Sequence, residues 1–171
     1  VKLGQFIASS PTLFPAEYVK EFQKCLDQTE PVPWKQIRQV IEAELGPISN
    51  TFAFLDETPL ASASIAQVHA GRLLSGEDVV IKVQKPGIDA CLQADLGFLF
   101  VAARVVEYLQ PDFERTSLSA VAGDLRASML DELDFEKEAR NTIEFRQFLQ
   151  ENGLLQRATA PSVYLDHTTK K

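Results

Sequence analysis

The sequence predicts an α+β protein, and three observations carry that prediction. Helical periodicity opens the chain, over Glu17–Leu26 and Trp34–Leu45. A β-branched run, Val79-Val80-Ile81-Lys82-Val83, then follows a turn at Ser75-Gly76-Glu77-Asp78. Long apolar helical patterns return over Ile88–Leu109 and from Ser117 to about Asn152. Helices flanking so small a sheet must cover it, which is the layer argument for an α+β fold.

Each element has its own signals. In Glu17–Leu26 the residues Tyr18, Val19, Phe22, Cys25 and Leu26 share one face. Pro15 stands just ahead, and Pro31 and Pro33 close the element. Trp34, Ile37, Val40, Ile41 and Leu45 line the second helix, and Gly46-Pro47 stops it. A short Phe-rich piece, Ile48 to Leu55, follows. Ala61 to Val83 reads as a small-residue loop, a strand, a turn and a strand, hence a hairpin. Pro86-Gly87 ends it. The helix from Ser117 has an early face of Leu118, Val121, Ala122, Leu125, Met129 and Leu133, continued by Ile143, Phe145, Phe148 and Leu149. Gly153 fits a C-terminal cap. Val163 to Leu165 reads as a candidate third strand.

Composition excludes several classes. The chain has 171 residues, 45% of them hydrophobic and 24% charged, enough for a packed core and too apolar for bulk disorder. Its 17 Lys and Arg against 24 Asp and Glu give a net charge of −7, which argues against a general nucleic-acid binder. Cys25, Cys91, His69 and His167 make neither a disulfide framework nor a zinc cluster, and both thiols read as reduced core residues. The most apolar stretch, Leu96 to Ala103, is far short of the roughly 20 apolar residues a spanning helix needs. With no initiator Met at Val1, the chain is expected to be part of a longer protein.

Four places could carry chemistry. Lys82 sits in an apolar strand, where side chains alternate, so it faces away from Val79, Ile81 and Val83 and beside Val80 and Gln84. Such a lysine is either a snorkelling edge residue or a phosphate-binding one on a V-x-I-K strand. Ala61-Ser62-Ala63-Ser64 is small enough to admit a phosphate or another backbone, and its bland alternative is a loop packed under a helix. One strand before V-x-I-K, it stands where a kinase covers ATP. The acidic cluster Asp131–Glu138 is ordinarily a solvated helix face, braced by Glu136 and Arg140 at i,i+4. Glu132, however, falls beside the stripe of Leu125 and Met129, and a carboxylate there wants a cation, for which Lys82 is the natural partner. Asp134 lies about 200° from Glu132 on an ideal helix, so it should face a different element unless the helix is distorted. Lys2-Leu3-Gly4-Gln5 alone would be a polar terminus.

Together these residues resemble a family. Lys2-Leu3-Gly4-Gln5 is similar to the K-x-G-Q motif of the UbiB family of atypical protein-kinase-like proteins. Pro59 to His69 looks like its alanine-rich loop, Val80-Ile81-Lys82 like its nucleotide-binding lysine strand, and Glu132-Leu133-Asp134 like its E-x-D motif. The four occur in the family's order and span nearly the whole chain. The resemblance implies a helical K-x-G-Q extension over 1–55 and a kinase-like N-lobe over 56–171, with an inserted helix and an αC-like helix. It implies that Lys82 contacts ATP phosphates and that Glu132 is its ion-pair partner. Ala61, Ser62, Ala63 and Ser64 would lie over the nucleotide, with Ala63 near the phosphates. Lys2, Gly4 and Gln5 would fold back over the cleft to the E-x-D region and its Asp134, in a regulatory role.

The same resemblance implies ATP and Mg²⁺ as cofactors and support of isoprenoid quinone, especially ubiquinone, biosynthesis or lipid homeostasis. Partners would be quinone-biosynthesis proteins or lipids at a membrane surface, and the C-lobe of the same parent. Location would be membrane-associated bacterial cytoplasm, mitochondrion or plastid. The family's H-x-D-x-H-P-G-N motif, which with the D-x-G that follows it carries the catalytic Asp and the metal ligands, does not occur in these 171 residues. The chain alone is therefore expected to lack phosphoryl transfer. Ser62 departs mildly from a family that often has Ala there. The alternatives are a pseudokinase scaffold that organises a biosynthetic complex, and an α+β interaction domain with no nucleotide site. A lobe parted from its C-lobe should also expose an apolar patch and self-associate.

Overall fold

The computed structural model describes residues 29–109 and 117–171, together with Lys20. The K-x-G-Q residues, Cys25 and the Glu17–Leu26 helix, apart from Lys20, lie outside the described residues. The chain divides into two compact units, residues 1–85 and 86–171.

In the first unit, helix α1 spans Trp34–Leu45, as its periodicity predicts. It ends at Gly46, whose φ of 78° suits a residue without a Cβ and whose N–H donates to the Glu42 carbonyl at 3.1 Å. A 3-10 turn, Ile48–Asn50, leads into an antiparallel sheet of β1 (Phe52–Ser62), β2 (Ala66–Leu73) and β3 (Asp78–Gln84), in that order. The Ser75–Asp78 turn is present, with Gly76 at φ 104°. Ile37 and Ile41 of α1 pack with Phe52, Leu73 and Val83, flanked by Leu55, Val79 and Ile81. That cluster is the core of the unit. Gly71 of β2 sits on this face, where an added Cβ would stand 2.8 Å from Ile81 Cδ1 and 3.1 Å from the Phe54 carbonyl.

The third strand is β1, and the expectation of a strand at Val163–Leu165 is corrected. There the chain runs without a strand into a 3-10 turn over Leu165–His167. β1 hides in the sequence because Asp56-Glu57-Thr58-Pro59 has the composition of a turn. Its register against β2 shifts between Leu55 and Pro59 and again between Pro59 and Ala61, so the strand bulges. Asp56 accepts the Thr58 N–H at 2.9 Å within the irregular stretch. Pro59 is tolerated because β1 is an edge strand. The strand continues through residue 55, where the sequence places the end of the helical extension.

In the second unit, α2 (Ile88–Leu109) packs against α3 (Leu118–Asp131) through Leu92, Leu96 and Met129. Cys91 is exposed, not buried as expected, because it lies one residue and about 100° from Leu92. The single helix expected from Ser117 to Asn152 is two: α3 stops at Asp131 and α4 runs Phe135–Glu151. The break changes the helical phase, which leaves Phe145 and Phe148 half-exposed while Leu149 is buried. Gly153, at φ 65°, caps α4 as expected. Its N–H donates to Gln150 and that of Leu154 to Leu149, the paired bonds of a Schellman end. Phe98, Val101, Val105 and Tyr108 form an exposed stripe along α2. Among the described residues no helix is long and apolar enough to cross a membrane.

Candidate functional site

The alanine-rich segment is the β1–β2 hairpin connection. Ala61 and Ser62 are the last residues of β1, and only Ala63, Ser64 and Ile65 are outside strands. The Ala63 N–H donates to the Ala66 carbonyl at 2.8 Å and closes the turn. Ala61 pairs with Val68, and Val68 pairs with Lys82. These three residues therefore form one lateral row and share one face of the sheet. It is the face opposite α1. Lys82 is exposed there, and Val80, two residues before it, is 65% exposed on the same side.

The next row, Ser62, Gln67 and Val83, points the other way and is buried. Ser62 is thus turned from the Lys82 face, and its hydroxyl donates to the Glu30 carbonyl at 3.4 Å. Gln67 is fully buried. Its Oε1 accepts the Val32 N–H, and its Nε2 donates to the Val32 carbonyl and to His69 Nε2. His69, also fully buried, lies beside the Trp34 ring with centroids 5.3 Å apart. Its Nδ1 is 2.9 Å from the Asp56 carbonyl, an acceptor, so Nδ1 carries the proton and Nε2 accepts from Gln67. Both side chains brace the backbone around the hairpin, at Val32 and at the β1 bulge.

Residues 29–32 lie along the hairpin as a strap. The Thr29 N–H donates to the Ser62 carbonyl at 3.2 Å, and the Thr29 hydroxyl donates to the Ala63 carbonyl at 2.7 Å. Lys85, just past β3, donates its ammonium to Thr29 Oγ1 at 2.8 Å and to the Glu30 carbonyl at 3.1 Å. Its backbone N–H takes the Ile65 carbonyl at 2.8 Å. Burial pushes the Lys85 ammonium below its ordinary pKa.

In the second unit, the Glu-Leu-Asp segment is the joint between two helices. Glu132 is the C-terminal cap of α3 and is exposed. Asp134 is the N-cap of α4 and accepts the Lys137 N–H at 3.0 Å. Glu136 and Glu138 follow in the first turn, where the helix dipole favours acids. The Glu136–Arg140 pair is present at 4.0 Å.

A family model described as the ABC1 atypical kinase-like domain matches residues 24–171. The chain belongs to the ABC1 atypical kinase-like family. A chloroplastic aarF domain-containing protein kinase of Arabidopsis thaliana is 57% identical over 96% of this chain. Proteins named probable protein kinase UbiB, from Marinobacter nauticus and from Pseudomonas putida strain W619, are 34% and 36% identical over 99% and 97% of it. The chain spans about a third of these curated relatives, covering 31%, 31% and 30% of them in turn. The solved Mycobacterium tuberculosis protein Rv3197, in a complex with erythromycin, superposes with a TM-score of 0.60 at 26% identity. That match covers 95% of this chain and 42% of the other.

Within the ABC1 family this architecture, a three-stranded antiparallel sheet with helices, is a kinase-like N-lobe. The chemistry of the hairpin fits a nucleotide's phosphates. Ala61 and Ala63 are small and exposed, the turn's carbonyls are tied to the strap, and a lysine lies in the row of Ala61. Among the described residues no group of three or more His, Cys, Asp and Glu could hold a metal ion. Sequence reasoning placed Val80 beside Lys82 but missed Val68, Thr29 and Lys85. Val68 was legible, since the strand opposite Lys82 must also set an apolar side chain on that face. Thr29 and Lys85 gave no signal, because strap and hairpin meet only in the fold.

Proposed function

We propose that this chain is the nucleotide-covering N-lobe of an atypical kinase or ATPase that supports isoprenoid quinone or lipid metabolism. The row Ala61–Val68–Lys82 carries the proposal, since it sets a lysine and a small-residue turn on one sheet face. ATP supplies the phosphoryl group. Lys82 binds its phosphates as a point charge, Val68 and Val80 offer an apolar surface to the base, and Ala61 and Ala63 leave room for the backbone to approach. The family resemblance assigns Glu132 as the ion-pair partner of Lys82, and Asp134, the N-cap of α4, belongs to the joint that carries Glu132. Ser62 acts from behind the turn rather than on the nucleotide.

The remaining roles follow the family resemblance. Residues 1–55 form the extension, whose Lys2, Gly4 and Gln5 regulate access to the cleft, and residues 56–171 form the lobe. A C-lobe elsewhere in the parent supplies the catalytic Asp and the Mg²⁺ ligands. The UbiB relatives support a quinone role and the Arabidopsis relative supports a plastid as one location.

The test is MgATP titration and turnover in the full-length protein and its Lys82→Ala variant. The reading expects affinity to fall at least about tenfold in the variant, near 1.4 kcal/mol. Equal affinity in both proteins contradicts it. Binding without hydrolysis under any lipid or quinone-precursor condition favours a scaffold over an enzyme.

A further inference from the structure

We propose that Lys85 is a positioning residue for the nucleotide, acting through Thr29 on the alanine-rich turn. The inference rests on the nucleotide reading above and adds a residue outside the K-x-G-Q, alanine-rich, lysine-strand and E-x-D segments. Three carbonyls of the turn region, those of Ser62, Ala63 and Ile65, accept hydrogen bonds from two residues, Thr29 and Lys85. The Lys85 ammonium holds the Thr29 hydroxyl at 2.8 Å and the Glu30 carbonyl at 3.1 Å, while its own N–H holds Ile65. Lys85 thus grips the turn at one end directly and at the other through Thr29.

The physical reason concerns peptide orientation. A carbonyl oxygen turned toward a phosphate repels it, whereas an N–H attracts it. A glycine-rich loop reaches its orientation through backbone freedom, but Ala63 and Ser64 have less of that freedom. External bonds to the carbonyls do the same work here. They lock the peptides before a ligand arrives, so less ordering is needed on binding. Exposed lysines make weak, replaceable contacts, but Lys85 is partly buried and its ammonium bonds two specified oxygens 55 and 56 residues away in sequence.

The full-length protein, Lys85→Met, Lys85→Arg, Thr29→Val and the Thr29→Val/Lys85→Met double variant test this together. Methionine keeps the stem and removes the donors. The readouts are MgATP affinity and amide hydrogen exchange over Ser62–Ala66 without nucleotide. Lys85→Met is expected to weaken MgATP about tenfold and to speed exchange at least about threefold. Lys85→Arg should recover most of both losses, which a general packing defect would not allow. The double variant should lose little beyond either single variant, as two residues of one linkage do. Wild type that binds MgATP with unchanged affinity in Lys85→Met overturns the positioning role alone. Unchanged exchange in Lys85→Met overturns the strap. Wild type that binds no MgATP overturns the nucleotide reading, and the positioning role with it.

Discussion

Val68 stands directly opposite Lys82 in the β2–β3 ladder, and Ala61 stands opposite Val68 on the other side. A lysine, a valine and an alanine thereby share one row of one sheet face. The following row, Ser62, Gln67 and Val83, is buried against the α1 side. Two adjacent rows of one small sheet thus differ, one packed in the core and the other turned away from α1.

Gln67 is the polar hinge of the buried row. Its amide satisfies both the N–H and the carbonyl of Val32. Gln67→Leu keeps the volume roughly constant but strands those groups. Urea unfolding of the chain should show a loss of about 1–3 kcal/mol, the penalty for buried polar groups left unpaired. A loss below about 0.5 kcal/mol would mean that water replaces the amide.

Asp134 should behave as a helix cap. Asp134→Ala removes the acceptor for the Lys137 N–H and should destabilise by about 0.5–2 kcal/mol. Asp134→Asn, which can still cap, should lose much less. Equal losses in the two variants would show that charge at this position matters more than capping.

Glu107 of α2 gives a pH dependence. Its carboxylate accepts the Ser119 N–H at 2.8 Å, in the first turn of α3. Ser117, the N-cap, has φ 42° and makes no side-chain cap bond, so Glu107 does that work from the preceding helix. The Ser119 N–H holds the Glu107 carboxyl below its ordinary pKa. A depressed carboxylate stabilises the fold fully above its unfolded pKa, and this is lost as pH falls through the folded value. The Tm gap between wild type and Glu107→Gln should therefore be present near about pH 6 and shrink toward about pH 3. A gap independent of pH would refute the assignment.

The α2 stripe should govern association of the isolated chain. Phe98 is 77% exposed and Tyr108 86%, on one face with Val101 and Val105. An apolar face of that length favours self-association. Light scattering should show oligomers that Val101→Lys/Val105→Lys disperses. A monodisperse wild-type chain would contradict this.

Much of this was legible in the sequence. Periodicity placed α1 and α2 at their observed limits, and the lysine strand and its turn were correct. Two misreadings share a cause, in that local composition favoured one state and tertiary context imposed another. Asp56–Pro59 reads as a turn, but an edge strand with bulges absorbs it. Glu132–Glu138 reads as continuous helix, yet α3 ends at Asp131 and Asp134, at ψ 94°, starts α4. The capping signal was present, an Asp before an acidic first turn, and the strong helix formers around it outweighed it. The strap was not legible, because Thr29 and Lys85 are 56 residues apart and only the sheet brings them together.

The most direct test of the central claim is a hydrogen-exchange footprint of MgATP on the full-length protein. The account predicts protection at the turn, Ser62–Ala66, and along β2 and β3 around Val68 and Lys82, with no such protection in Lys82→Ala. MgATP binding that leaves these segments unprotected, or protects them equally in Lys82→Ala, would contradict it.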